Sequence, residues 1–201
     1  MFGLARVLEY GGVQLSWHSR RVAALTVSFA RWYGLEDQTV RLIYQGALLH
    51  DLGKIAIPEA ILLKPTQLTQ DELRCIQMHP VYGYEWLASF GCARQVLTIP
   101  YGHHEKWDGS GYPRRLQGED IPLEARLCAL ADVWDALHSG RCYRQAWERW
   151  RVVEYFEEQA GRHFDPCLTT AFIRFVTGGA KGASCFELED WMVDDLYPLT
   201  W

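Results

Sequence analysis

Apolar residues recur at helical spacing along nearly the whole chain, and strand-like alternation is almost absent. Residues 4–10 read as a short helix broken by Gly11-Gly12. Ser16-Trp17-His18 opens a second helix that runs to Tyr33, with Val22, Leu25, Phe29 and Trp32 on one stripe and Gly34 as its stop. A third starts at Glu36-Asp37 and ends at His50-Asp51. Residues 55–64 form a Pro-containing connector. Thr69 then caps a helix with Glu72 at its third position, a reciprocal capping pattern, and this helix reaches Met78-His79. Pro80 suits the first turn of the next helix, which continues towards Gly91. Further helices are expected over residues 94–101, 123–138, 148–159 and 167–176, the last capped by Asp165. The fold class is all-α, a compact bundle of about seven helices.

Certain polar residues interrupt this pattern. His50-Asp51-Leu52-Gly53-Lys54 follows the apolar run 42–49, where a core helix ends. Burying an imidazole, a carboxylate and an ammonium together is costly unless they pair or bind something. A divalent first-row metal answers that cost for the first two, and Lys54 could reach an anion on it. An ordinary helix terminus, with His and Lys favoured by the dipole and Gly53 past the last turn, is the competing reading. His18 and His79 are equally ambiguous taken singly. His103-His104-Glu105 is a rarer grouping, followed by the turn-rich loop Asp108-Gly109-Ser110-Gly111-Tyr112-Pro113, which suits a surface turn or a flat ligand. Asp132 stands inside an apolar helical run, with Asp135 at i+3 near the same face. Arg141 and Arg144 make the following segment basic.

Five of the seven histidines, His18, His50, His79, His103 and His104, stand where a helix begins, ends or meets Gly or Pro. With Asp51 and Asp132 they suit a pair of first-row ions, since a core rarely holds so many ionisable groups otherwise. His138 and His163 read as structural.

A length of 201 residues gives one domain, expected over residues 1–177, with 178–201 as an acidic, aromatic C-terminal extension. The net charge of −5 argues against a duplex nucleic-acid surface, though not against a small phosphorylated ligand. The six cysteines form no C-x-x-C pair, and no signal-like or membrane-spanning run is evident. A cytoplasmic protein with reduced thiols and no membrane insertion is expected.

Taken together, His50-Asp51-x-Gly53-Lys54, His103-His104-Glu105, the loop ending Gly111-Tyr112-Pro113 and Asp132-Val133-Trp134-Asp135-Ala136 resemble the HD-GYP phosphodiesterases, from about His18 to Phe175. These bacterial members of the HD superfamily hydrolyse cyclic di-GMP. The resemblance implies one metal held by His18, His50, Asp51 and Asp132, and a second held by His79, His103 and His104, with Asp51 bridging. Two divalent ions, iron or manganese, are the cofactors it implies. Lys54 matches the lysine that contacts the scissile phosphate, and Arg141 and Arg144 match positions that hold phosphates. Gly111, Tyr112 and Pro113 would border the guanine-binding region. Three departures stand out. Gln14 replaces a Glu that helps some members hold a third metal near Asp135; Arg115 stands where Gly is frequent; Cys142 interrupts an Arg-Pro-Tyr-Arg run.

The reaction implied is attack on a phosphodiester by a hydroxide bridging metals about 3.5–4 Å apart, with Asp51 and Lys54 as the catalytic residues and no protein general base. The linear dinucleotide pGpG is the expected main product, with slow conversion to GMP. Two rivals stay open: an HD-type phosphohydrolase of another nucleotide or cyclic dinucleotide, and a non-catalytic module that binds cyclic di-GMP or a protein. Homodimerisation and a signalling partner are left open.

Overall fold

A computed structural model describes residues 13–139 and 146–178, with side chains from residue 17 onward. The helix expected over 4–10, the Gln14 side chain, Arg141, Cys142, Arg144 and residues 179–201 of the expected extension lie outside the described residues.

Within them the chain is all helical and no strand forms. The helices are α1 (Val13–Tyr33), α2 (Asp37–Leu48), α3 (Glu59–Leu62), α4 (Gln70–Ile76), α5 (His79–Ser89), α6 (Arg94–Gly102), α7 (Leu123–His138), α8 (Arg149–Gln159) and α9 (Pro166–Val176). Short 3-10 turns occupy Leu52–Ala56 and Gly118–Asp120. Seven of the helices have nine residues or more and match the expected bundle; α3 and α4 are short.

Side-chain caps set two of the boundaries. Thr69 and Glu72 form the reciprocal cap at the start of α4. The Asp165 carboxylate accepts from the Cys167 and Leu168 amides at the start of α9. Two boundaries differ from expectation. α1 reaches back to Val13, so His18 lies in its second turn rather than its first. α4 stops at Ile76, short of His79. The Met78 amide closes a tight turn on the Cys75 carbonyl, and His79 opens α5 with Pro80 in its first turn.

α1 packs against α2 and α7, α6 bridges α2, α5 and α7, and α9 covers α1 and α7 beside α8. Small residues allow these close crossings. A Cβ on Gly46 would lie 2.8 Å from the Val96 carbonyl oxygen, so α2 meets the backbone of α6 directly. The main core gathers Val22, Phe29, Ile43, Ile99, Leu130, Trp134, Phe156 and Phe172, all at most 1 % exposed. Phe29 meets Phe172 edge-on at 5.0 Å, and Phe156 stacks on Phe164 at 4.8 Å. Each such ring contributes roughly 1.5–3 kcal/mol through burial. A smaller cluster of Leu49, Leu52, Leu87, Val96 and Leu97 packs under the turn that follows α2. That turn is where the polar residues gather.

Candidate metal centre

Five segments bring the seven side chains together. His50 and Asp51 leave the end of α2 and enter the Leu52–Ala56 turn. This turn lies against the start of α5, which carries His79. The contact demands Gly53: a Cβ there would overlap the His79 carbonyl and lie 2.6 Å from the Gly83 nitrogen. α6 ends at Gly102 and delivers His103 and His104. α1 supplies His18 and α7 supplies Asp132. His50, His79 and His103 are at most 1 % exposed.

The imidazoles are oriented by their outer nitrogens. Nδ1 donates to Ala47 O at 2.6 Å in His50, to Ile76 O at 2.8 Å in His79 and to Ile99 O at 3.0 Å in His103. A carbonyl can only accept, so the proton sits on Nδ1 and Nε2 is turned inward. His18 is held likewise, its Nδ1 donating to Asp135 at 2.7 Å. Arg21 in turn grips Asp135, Nε at 2.6 Å and a terminal nitrogen at 3.0 Å. Both Asp135 oxygens are therefore engaged.

Inside, two groups of donors share Asp51. Asp51, His79, His103 and His104 offer ligand atoms that all lie within 4.8 Å of one another, and so do His18, His50 and Asp51. One oxygen of Asp51 is 3.4 Å from His79 Nε2 and 3.9 Å from His103 Nε2. The other is 3.4 Å from His50 Nε2 and 2.6 Å from the Lys54 ammonium. Asp132 joins the second group, 3.1 Å from His18 Nε2 and 4.0 Å from His50 Nε2.

The two groups differ in charge. Burial pushes His79 down to about 4, and burial with neighbouring histidines holds His103 well below the ordinary range. Burial and His79 do the same to His104. These rings are neutral, the form that binds metal. At His18 burial opposes the charge, but hydrogen bonds to Asp132 and Asp135 raise it to about 9. His50 is likewise raised against its burial, by Asp51. Asp51 and Asp132 resist burial and stay well below the carboxylate range, through Lys54 and His50 for the first and His18 and His50 for the second.

The donor set fits a divalent cation. His50 Nε2 and one Asp51 oxygen are fully buried with no hydrogen-bond partner. Orphaned buried polar atoms cost about 1–3 kcal/mol each, so such a pair is not retained without cause. The His79 and His103 Nε2 atoms face each other at 3.4 Å, and with both protons on Nδ1 they present two lone pairs. A cation between them turns that repulsion into ligation. The nitrogen and oxygen donors suit first-row divalent ions.

Beside the centre runs the loop 108–116. Tyr112 stacks on His104 at 4.8 Å and donates its amide to the His104 carbonyl at 3.1 Å. Burial raises its hydroxyl, which stays protonated. Gly111 is obligatory, since a Cβ there would lie 2.6 Å from Glu105 Cα. Pro113 follows a cis peptide bond. Glu105, the acid of the His103-His104-Glu105 grouping to which the sequence alone assigns no role, is 2 % exposed and accepts from two loop amides. Its one signal was position: an acid directly after paired histidines and before a Gly-rich loop. His138 stacks on Trp134 at 4.3 Å, and His163 lies parallel to Phe164 at 4.2 Å; neither belongs to either donor group.

The family model described as "HD domain" matches residues 4–168. Among curated proteins the chain is 45 % identical to the cyclic di-GMP phosphodiesterase response regulator RpfG of Xanthomonas campestris pv. campestris, over 85 % of this chain and 46 % of the relative. It is 41 % identical to the 3′3′-cGAMP-specific phosphodiesterase 2 of Vibrio cholerae, over 84 % of this chain and 33 % of the relative. The chain thus spans less than half the length of these curated relatives. Among solved structures it resembles Bd1817, a HDG"Y"P protein from Bdellovibrio bacteriovorus, with a TM-score of 0.66 at 22 % identity over 82 % of this chain and 53 % of that one.

Proposed function

The chain belongs to the HD-domain family, and on that premise we propose that it is a metal-dependent phosphodiesterase of the HD-GYP branch that opens cyclic di-GMP to pGpG. The observation that carries the reading is the pair of donor groups sharing Asp51, with the Lys54 ammonium 2.6 Å from that same carboxylate. His79, His103, His104 and Asp51 would hold one ion; His18, His50, Asp132 and Asp51 would hold the other. Divalent ions, iron or manganese, would supply Lewis acidity and a water deprotonated at neutral pH.

The protein's own groups prepare this chemistry. The backbone carbonyls of Ala47, Ile76 and Ile99 keep three Nε2 atoms aimed inward. Asp135, held by Arg21, does so for His18, and this engagement favours an orienting role over a share in a third metal. Lys54 sets a positive charge where a phosphoryl oxygen can meet it. Tyr112, stacked on His104, gives the loop an aromatic wall for a flat base. Arg141 and Arg144 belong to the proposal as phosphate-holding residues. So does a cytoplasmic location; no described helix is long and apolar enough to cross a membrane.

A second reading, hydrolysis of another cyclic dinucleotide, is favoured by the 41 % identical relative named for 3′3′-cGAMP. Incubating metal-loaded protein, purified without oxygen, with cyclic di-GMP, 3′3′-cGAMP and cyclic di-AMP separates the two. Cyclic di-GMP should be consumed fastest, with pGpG preceding GMP. Preference for 3′3′-cGAMP would replace the substrate, and an absence of turnover on all three would overturn the enzyme reading.

A further inference from the structure

Glu105 belongs to neither donor group, and yet it is among the most enclosed acids of the described residues, 2 % exposed. Its partners are backbone. One oxygen accepts from the Arg114 amide at 2.8 Å and the other from the Leu116 amide at 3.0 Å. Between them stands Arg115, the one non-glycine residue with positive φ among the described residues, at 56°. The positive φ at the residue between them curls the chain so that the amides at i and i+2 face one carboxylate. An arginine there sets its Cβ close to the following carbonyl oxygen, a strained backbone for any residue but glycine. The two hydrogen bonds to Glu105 offset that strain.

The same segment is tied on its other side to a metal ligand. Glu105 follows His104 directly, and the Tyr112 amide donates to the His104 carbonyl at 3.1 Å. The Arg114 guanidinium lies over the Tyr101 ring at 4.4 Å, and its Nε is 3.8 Å from Glu105. The loop therefore closes around the Glu105 carboxylate, with Tyr112 fixed over the His104 ring as a consequence.

We propose that Glu105 is the positioning residue of the substrate loop: its two carboxylate oxygens clamp the Arg114 and Leu116 amides and so place Tyr112 beside the metal centre. This rests on the phosphodiesterase reading for the identity of the substrate and on the geometry alone for the clamp.

The clamp needs two acceptor oxygens. Glu105→Gln keeps the shape but offers one acceptor where two amides point, and its NH2 group opposes the other N–H. Hydrogen exchange on the wild-type protein makes the first test. The amides of Arg114 and Leu116 should be protected although Arg114 is exposed. Rapid exchange at both would overturn the clamp with no variant needed. In E105Q both amides should exchange about tenfold faster or more, while α7 stays protected. KM for cyclic di-GMP should rise about tenfold with kcat within about twofold and bound metal unchanged. Arg115→Gly in the E105Q background removes the strain the clamp opposes and should recover much of the lost KM. Should E105Q fail to fold, Glu105→Asp, which keeps the charge on a shorter arm, should show the same KM shift in milder form. A fall in bound metal and kcat at unchanged KM would instead make Glu105 a support of His104, and unchanged exchange and kinetics in E105Q would leave it no positioning role. If wild-type protein leaves cyclic di-GMP intact, the substrate reading falls, and the exchange rates still decide the clamp.

Discussion

On one side of α7, Trp134 packs against Phe156 and Phe172; two residues earlier, Asp132 turns towards His18 and His50. The aromatic region draws on α1, α7, α8 and α9 and gains by excluding water. The polar region is buried at His50, Asp51, His79 and His103 and partly open at His18, His104 and Asp132; it keeps a histidine nitrogen and a carboxylate oxygen without partners and sets two imidazole lone pairs face to face. The first region is complete as folded. The second is an arrangement that a cation completes, so hydrophobic packing and ligand donors lie on different faces of the same helix.

That division is open to attack. The largest effect should come from Asp51→Asn, which keeps the volume and removes the shared anionic donor. Turnover should fall at least about a thousandfold, while the thermal midpoint of the metal-free protein moves little. A large loss of stability in the metal-free D51N protein would erase the distinction. The converse is Phe172→Ala in the aromatic region. It should cost about 3–5 kcal/mol in urea unfolding while molecules that remain folded keep their turnover at low temperature. Selective loss of activity would show the regions to be coupled.

A smaller effect should follow from pH. His163 lies parallel to Phe164 and accepts the Trp107 amide on its carbonyl. Burial and then Lys106 lower its ring to about 4. The unfolded chain, with His near about 6.5, then binds the proton more readily. Its contribution is full above about pH 6.5 and is lost as pH falls towards 4, on the order of 2 kcal/mol. His163→Gln should flatten stability between about pH 5 and 6.5; an unchanged slope would assign the loss to other groups. The smallest effect belongs to Arg115→Gly, which relieves the left-handed backbone and should stabilise the protein by about 1 kcal/mol or less.

The longer helices were legible because their causes are local. The stripe Val22, Leu25, Phe29, the Thr69–Glu72 cap and the Asp165 cap all lie within a turn or two of what they determine. The positions of the seven side chains were legible as interruptions of that pattern. What they touch was less so. Asp135 reads from sequence as a companion of Asp132 near a third metal, whereas its partners His18 and Arg21 stand more than a hundred residues earlier. Glu105 pairs with backbone amides, which leave no mark on residue identity. Arg115 departs from the frequent glycine, and its positive φ gives the physical reason a glycine suits that position.

The central claim is that the polar region is a centre for two ions sharing Asp51. Elemental analysis of protein purified without oxygen measures it directly. The account predicts about two first-row divalent ions per chain, with turnover lost on chelation and restored on reloading. Full turnover by protein that retains no metal would contradict it.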